Sequence, residues 1–225
     1  MIIKFNFDWI CFDTKYAFSQ IETYFEIMNG QIEDIKKKNM ESIRSLLENV
    51  KDIEDYEFQS STLFQEHYHQ YEENLPRCLT YSFVTMIYTT LETRLNELCN
   101  DLFKRKNLKL ALKNLKGSLA DRVELFFKAL DLKGLGKKDI DKITEFSRIR
   151  NQIIHENGQM HNATKKLKNY VKNKNNITTK NNQLVIETSY CLEHLKYFKK
   201  MFSNAFKELG YKQDYTIETS EKKDI

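Results

Sequence analysis

An all-α helical bundle is the fold class this sequence predicts, and three observations carry it. The 225 residues include one Pro and six Gly, and so few breakers favour long helices over a many-turned β fold. Leu79, Phe83, Ile87, Leu91, Leu95, Leu98 and Leu102 recur at helical spacing without interruption, the stripe of a core helix. Apolar residues make up 40% of the chain, with 15 Phe and 12 Tyr. That is enough for one ample hydrophobic core, with at most an appended helical arm.

Taken in order, Ala17, Ile21, Tyr24 and Met28, then Ile43, Leu46, Val50 and Ile53, repeat at helical spacing. Residues 1–55 therefore predict one long helix, or two broken near Gly30, as an N-terminal extension packed on the bundle. The bundle itself spans residues 56–210. Its polar, tyrosine-rich opening, up to residue 74, predicts a helix with loose ends, and Pro76 suits the first turn of the helix that carries the leucine stripe. Ser118, with Asp121 three residues on, caps a helix that buries Val123, Phe126, Phe127 and Leu130. Residues 132–138, "LKGLGKK", form a loop. The next helical pattern begins near Asp139 and stops before Gly158. A Lys/Asn-rich stretch, 159–182, follows with few apolar residues. It leads into "ITTKNNQLVIET", whose β-branched runs flank Asn181-Asn182 and predict a small β-hairpin before the last helix. That helix starts near Thr188 and carries Leu195, Phe198, Phe202 and Phe206. Residues 211–225 read as a frayed tail, and no internal repeat is present.

Cys11, Cys78, Cys99 and Cys191 form no CxxC pair and no paired spacing. Neither a disulfide framework nor a zinc site is expected, and reduced thiols in a cytoplasmic protein are the simpler reading. The opening "MIIKFNFDWICFD" lacks a basic start and is interrupted by Asp8 and Asp13, a poor signal peptide. No apolar run approaches the roughly 20 residues that cross a bilayer. The net charge of +4 conceals a division: residues 100–180 hold 20 Lys+Arg against 8 Asp+Glu, whereas residues 1–99 hold 9 against 17. A basic middle in an acidic surround suits a polyanion-facing surface as well as it suits solvated helix faces.

The stretch "RIRNQIIHENG", Arg148 to Gly158, is where chemistry concentrates. On a helical wheel Thr144, Ser147, Arg148, Asn151 and His155 fall within about 100° of one another, a polar strip on an otherwise apolar helix. Asn151 and His155 are i,i+4 neighbours. Arg150 points about 140° away from His155, towards Ile143 and Phe146, where an arginine is costly unless it is paired or opens onto an interface. These residue types suit phosphodiester cleavage. Histidine titrates near neutrality and can move a proton, and arginine offers a permanently charged fork for phosphate oxygens. The same residues also suit a helix C-cap with salt-bridging arginines.

"RNQIIH" resembles the R-x4–6-H motif of HEPN domains, the "higher eukaryotes and prokaryotes nucleotide-binding" superfamily, with Arg150, the polar Asn151 and then His155. Arg148 also fits the loose spacing, but Ile149 follows it, so Arg150 is the better match. "LPRCLTYSFVTMIYTTLETRLNELCNDLF" is similar to that family's long second helix, in which an acidic residue, here Glu92, often faces the site. The resemblance covers roughly residues 60–208. It implies a HEPN-like bundle that pairs two-fold, so that motifs of two protomers line one cleft. It also implies a metal-independent endoribonuclease without a cofactor, which leaves a 2′,3′-cyclic phosphate and a 5′-hydroxyl. Several members serve as toxins or in anti-phage defence, which makes an antitoxin or regulatory partner an expectation by resemblance. In these roles Arg150 would bind and stabilise the scissile phosphate, His155 would transfer a proton or contact phosphate, and Asn151 would orient the histidine or hydrogen-bond the phosphate. Arg148 and Glu92 would support them. Members governed by a nucleotidyltransferase antitoxin carry a tyrosine two residues after the histidine; Asn157 stands there, so no tyrosine-modification switch is expected.

Lys165, Lys166 and Lys168, with Lys172 and Lys174 beyond them, fit either a nucleic-acid backbone or a flexible solvated loop. "GLGKK" lacks the GxxxxGK[ST] spacing and a preceding strand, and reads as a helix junction. His67 and His69 point to opposite helix faces without a ligand set, and read as surface residues. Two rivals to the ribonuclease stay open: a non-catalytic relative that binds nucleotide, RNA or protein through the same basic cleft, and a purely helical dimerisation module.

Overall fold

Helix α1, Trp9–Leu47, runs through Gly30 without a break, so the two-helix alternative falls away. The structure, a computed structural model, describes residues 2–5, 7–213 and 217–220. Phe18, Ile21, Phe25 and Ile32 of α1 enter the same core as the central helix. Helix α2, Ile53–His67, is capped by Asp52, whose side chain accepts the N–H of Asp55 at 3.0 Å. It passes through a π-helical stretch, Tyr68–Asn74, directly into α3, Leu75–Arg105. The boundary expected at residue 55/56 therefore falls inside α2. Pro76 sits in the first turn of α3, as expected. A proline clashes with the carbonyl four residues before it, and the wider π turn ahead of Pro76 falls where that clash would occur.

Helix α3 carries the whole leucine stripe buried, with Tyr81, Tyr88 and Cys99 beside it. Against it pack α4, Leu119–Ala129, α5, Lys137–Glu156, and α7, Thr188–Glu208. Ser118 and Asp121 close a capping box at the start of α4, the expected local signature. Helix α5 ends on Asn157 and Gly158, both in the left-handed region at φ 48° and 75°. The Gly158 N–H returns to the Gln152 carbonyl at 3.0 Å, a Schellman-type stop. The Lys/Asn-rich stretch differs from the loop expected of it. Residues Lys165–Lys172 form a two-turn helix, α6, capped by Thr164 and anchored by buried Leu167 and Val171. Two apolar residues four apart suffice when a core waits beneath them, and a mean over the segment hides them. Strands β2, Ile177–Lys180, and β3, Gln183–Ile186, pair antiparallel across Asn181-Asn182. Both asparagines have positive φ, the twist a two-residue hairpin turn requires.

The expected fraying after Gly210 does not hold throughout. Tyr211 is buried and donates to Asp101 Oδ2 at 2.6 Å. Residues Ile217–Ser220, β4, pair antiparallel with β1, Ile2–Phe5; residues 214–216 and 221–225 of the expected tail lie outside the described residues. The architecture is a mostly helical bundle with one two-strand hairpin before the last helix. Among the described residues no helix is long and apolar enough to cross a membrane.

Candidate active site

The residue that decides the geometry is Arg150. Half-buried on α5, it lays its guanidinium over the ring of Tyr88 on α3, 5.2 Å from the centroid. Stacking on an aromatic face is the environment an arginine tolerates best next to a core. Its Nη1 donates to Asn151 Oδ1 at 3.0 Å, while its buried Nε finds no acceptor among the described residues. Ser147, one turn earlier, lies 3.5 Å from the Tyr88 hydroxyl. Ile154, one turn later on the same face, is 47% exposed. Position 150 is thus held by its neighbours and still open at the guanidinium edge.

His155 stands differently. It is exposed, and among the described residues it makes no hydrogen bond or ion pair. Arg148, half-buried on the same strip, likewise has none. Because α5 is an unbroken α-helix from Lys137 to Glu156, Arg150 and His155 stay about 140° apart. No local distortion brings them together within one chain. Asn151, exposed between them, turns to Arg150 rather than to His155.

Glu92, one turn after Tyr88 on α3, faces Arg122 of α4 at 3.9 Å. Its partner is neither Arg94, which pairs with Glu97 at 2.8 Å, nor Arg150. Arg122, the fourth residue of capped α4, was not legible as a site residue, because its partner Glu92 lies on another helix. Like Arg150, it keeps a buried Nε without an acceptor among the described residues. The exposed Leu125 lies one turn beyond it on α4. Tyr88, Glu92, Arg122 and Arg150 therefore line one α3–α4–α5 surface, and the sequence signal for Tyr88 was its i,i+4 spacing from Glu92.

Beneath His155 the end of α5 is fastened firmly. Buried Gln152 donates to the Gln159 carbonyl. Gln183 of β3 donates to the Asn157 carbonyl and to Tyr81 Oη, and Tyr81 donates to the Leu184 carbonyl at 2.7 Å. A Cβ on Gly158 would stand 1.9 Å from Tyr81 Oη, so only glycine fits there. Lys165, Lys166 and Lys168 are exposed on α6, and Lys168 donates to the His161 carbonyl at 3.0 Å.

The other histidines have different roles. His67 is buried, 2.6 Å from Asn39 Oδ1, which corrects the surface position expected of it; the α1 neighbour that covers it lies 28 residues away and leaves no local trace. His69 is exposed and pairs with Glu73 at 2.9 Å. His194 on α7 is buried, stacked 4.9 Å from Phe146, with Nδ1 donating to the Tyr190 carbonyl at 2.8 Å. Burial pulls it down to about 4, so at neutral pH it is an uncharged core residue. The four cysteines are free thiols, and among the described residues no three His, Cys, Asp or Glu side chains gather as a metal ligand set. No protein-family model matches the chain, and no curated protein or solved structure does.

Proposed function

We propose that the chain is a HEPN-type endoribonuclease that works as a homodimer, with its cleft built from the α5 motifs of two protomers. The observation that carries this reading is the divergence of Arg150 and His155 on an unbroken α5. Each is individually suited to phosphodiester chemistry, and only a second copy can set one opposite the other. Exposed Ile154 and Leu125, each one turn from an arginine with an unpartnered Nε, supply apolar surface for such pairing.

In the proposed reaction the guanidinium of Arg150 binds non-bridging oxygens of the scissile phosphate and stabilises the charge of the phosphorane-like transition state. His155 of the opposing copy moves the proton. Either it takes that of the 2′-hydroxyl as its oxygen attacks phosphorus, or it delivers one to the departing 5′-oxygen. The products are a 2′,3′-cyclic phosphate and a 5′-hydroxyl. Asn151, already bonded to Arg150, holds the fork in place. A toxin or defence role, with an antitoxin or other regulatory partner, belongs to the resemblance to that family alone.

The test is cleavage of total RNA and of a labelled tRNA pool with EDTA present, comparing wild type with His155→Ala and mapping product ends. Cyclic-phosphate ends that vanish in the variant support the reading. Equal behaviour of the two proteins, at concentrations where native mass shows a dimer, sinks it. A native mass that stays monomeric removes the composite cleft. One observation favours a second reading, a binding module without catalysis: His155 has no orienting partner among the described residues. RNA binding that is lost in Arg150→Ala, with no cleavage by wild type, would select it.

A further inference from the structure

Between α6 and the hairpin runs an open groove of about 410 Å³ that the α5 motif does not reach. Its floor is apolar and buried, made by Met160, Val171 and Ile177. Its rim is Lys168, Lys172 and Lys174, with the hydroxyls of Thr178 and Thr179 and the amide of Asn182 opposite. Among the described residues no acidic one lines it. Residues 157–186 contain six lysines and no Asp or Glu. Elsewhere lysines near this region meet carboxylates: Lys180 binds Glu73 and Lys142 lies 3.9 Å from Glu145. Among the described residues Lys168, Lys172 and Lys174 form no salt bridge.

Two of the three ammonium groups have a fixed neighbour. Lys168 is tied to the His161 carbonyl at 3.0 Å, and Lys174 sits 5.3 Å from the Tyr170 ring centroid. Lys142 lies close enough to Lys174 that its own ammonium is held below the usual lysine range, by burial first and by that like charge second. Glu145 and Glu193 offset part of that repulsion at Lys142, and an anion in the groove would relieve it further along the rim. The volume is that of a small-molecule site. An apolar floor, a carboxamide and a cationic rim match three parts of one ligand: the face of a base, its hydrogen-bonding edge and its phosphate.

We propose that this groove binds a nucleotide unit of a single-stranded nucleic acid, its base on Met160, Val171 and Ile177 and its phosphates on Lys168, Lys172 and Lys174. Duplex bases are stacked inward and cannot reach such a floor, whereas splayed single-strand bases can. The proposal rests on the ribonuclease reading only in taking RNA as the strand. The groove would grip substrate away from the scissile bond.

The experiment is fluorescence anisotropy with a 2′-O-methyl oligoribonucleotide about ten nucleotides long, which cannot be cleaved by 2′-hydroxyl attack, so binding is read apart from catalysis. Wild type is compared with a Lys168→Gln/Lys172→Gln/Lys174→Gln variant and with Thr178→Asp, each checked for native circular dichroism. Loss of three phosphate contacts should lower the slope of log affinity against log salt by about 2. That makes the wild type roughly tenfold more salt-sensitive than the triple variant between about 50 and 200 mM. Thr178→Asp should weaken binding with the lysines intact. A nucleoside monophosphate added as competitor separates the sources: displacement shows that a free nucleotide suffices, and no displacement shows that the strand is required. Unchanged affinity and salt slope in both variants, or a duplex bound as tightly as the single strand, overturns the proposal. Groove binding without cleavage in the earlier assay would instead sink the ribonuclease reading and leave this one standing.

Discussion

The carboxyl end of α5 and the middle of α7 each present a histidine, and the two regions treat it in opposite ways. His194 is sealed by Phe146 and Tyr190, hydrogen-bonded on one nitrogen and held neutral by burial. His155 is exposed and bound to nothing among the described residues. One imidazole is a packing element; the other is open to solvent on a firmly anchored helix, where the proposed reaction would use it for proton transfer. What separates them is position along the helix and the neighbours it brings, since residue type is the same.

Four measurements break or sharpen that contrast. The largest effect belongs to His155→Ala in the cleavage assay, where, if the proposed reaction holds, loss of its acid–base group should cost about 10²- to 10⁴-fold; retained activity would erase the distinction. Next comes stability against pH. The folded-state value of His194, about 4, lies below the ordinary 6.5, so the unfolded chain takes up the proton first. The stability due to neutral His194 is complete above pH 6.5 and is lost as pH falls towards 4, by about 3 kcal/mol. Urea unfolding across that window should show the loss in wild type and a flatter profile in His194→Phe. Gly158→Ala comes third: a left-handed backbone and a Cβ forced against Tyr81 should cost about 2 kcal/mol. It should also reduce cleavage although His155 is untouched, which checks that the open histidine depends on the closed network under it. Smallest is the stability change in His155→Ala, expected within about 0.5 kcal/mol by thermal melting. A larger loss would mean that His155 belongs to the fold after all.

Much of this fold was written in short-range signals. The leucine stripe of α3, the Ser118–Asp121 box, the Asn181-Asn182 turn and the Gly158 stop all depend on residues within a turn of one another, and the structure has each of them. The failures share the opposite property. His67 is buried by α1, α6 is held by a core its own composition does not advertise, and Tyr211 is fixed by Asp101. Each depends on a partner distant in sequence. The same holds at the site. The wheel put Arg150 on the apolar side of α5, but only the fold could supply Tyr88 to receive it and Arg122 to take Glu92.

The π-helical stretch between α2 and α3 has a consequence for chain length. Glu72 and Glu73, both within it, reach Lys36 on α1 and Lys180 on the hairpin, while His67 just before it meets Asn39. A chain one residue shorter between Tyr68 and Asn74 could close into continuous α-helix. The tighter winding would nearly offset the missing residue, so α2 would keep its phase, but the Pro76 ring would press on the carbonyl behind it. The extra residue in this wide turn therefore makes room for a proline inside one continuous helical run, and a single-residue deletion there would be felt at Pro76 rather than in the direction of α2.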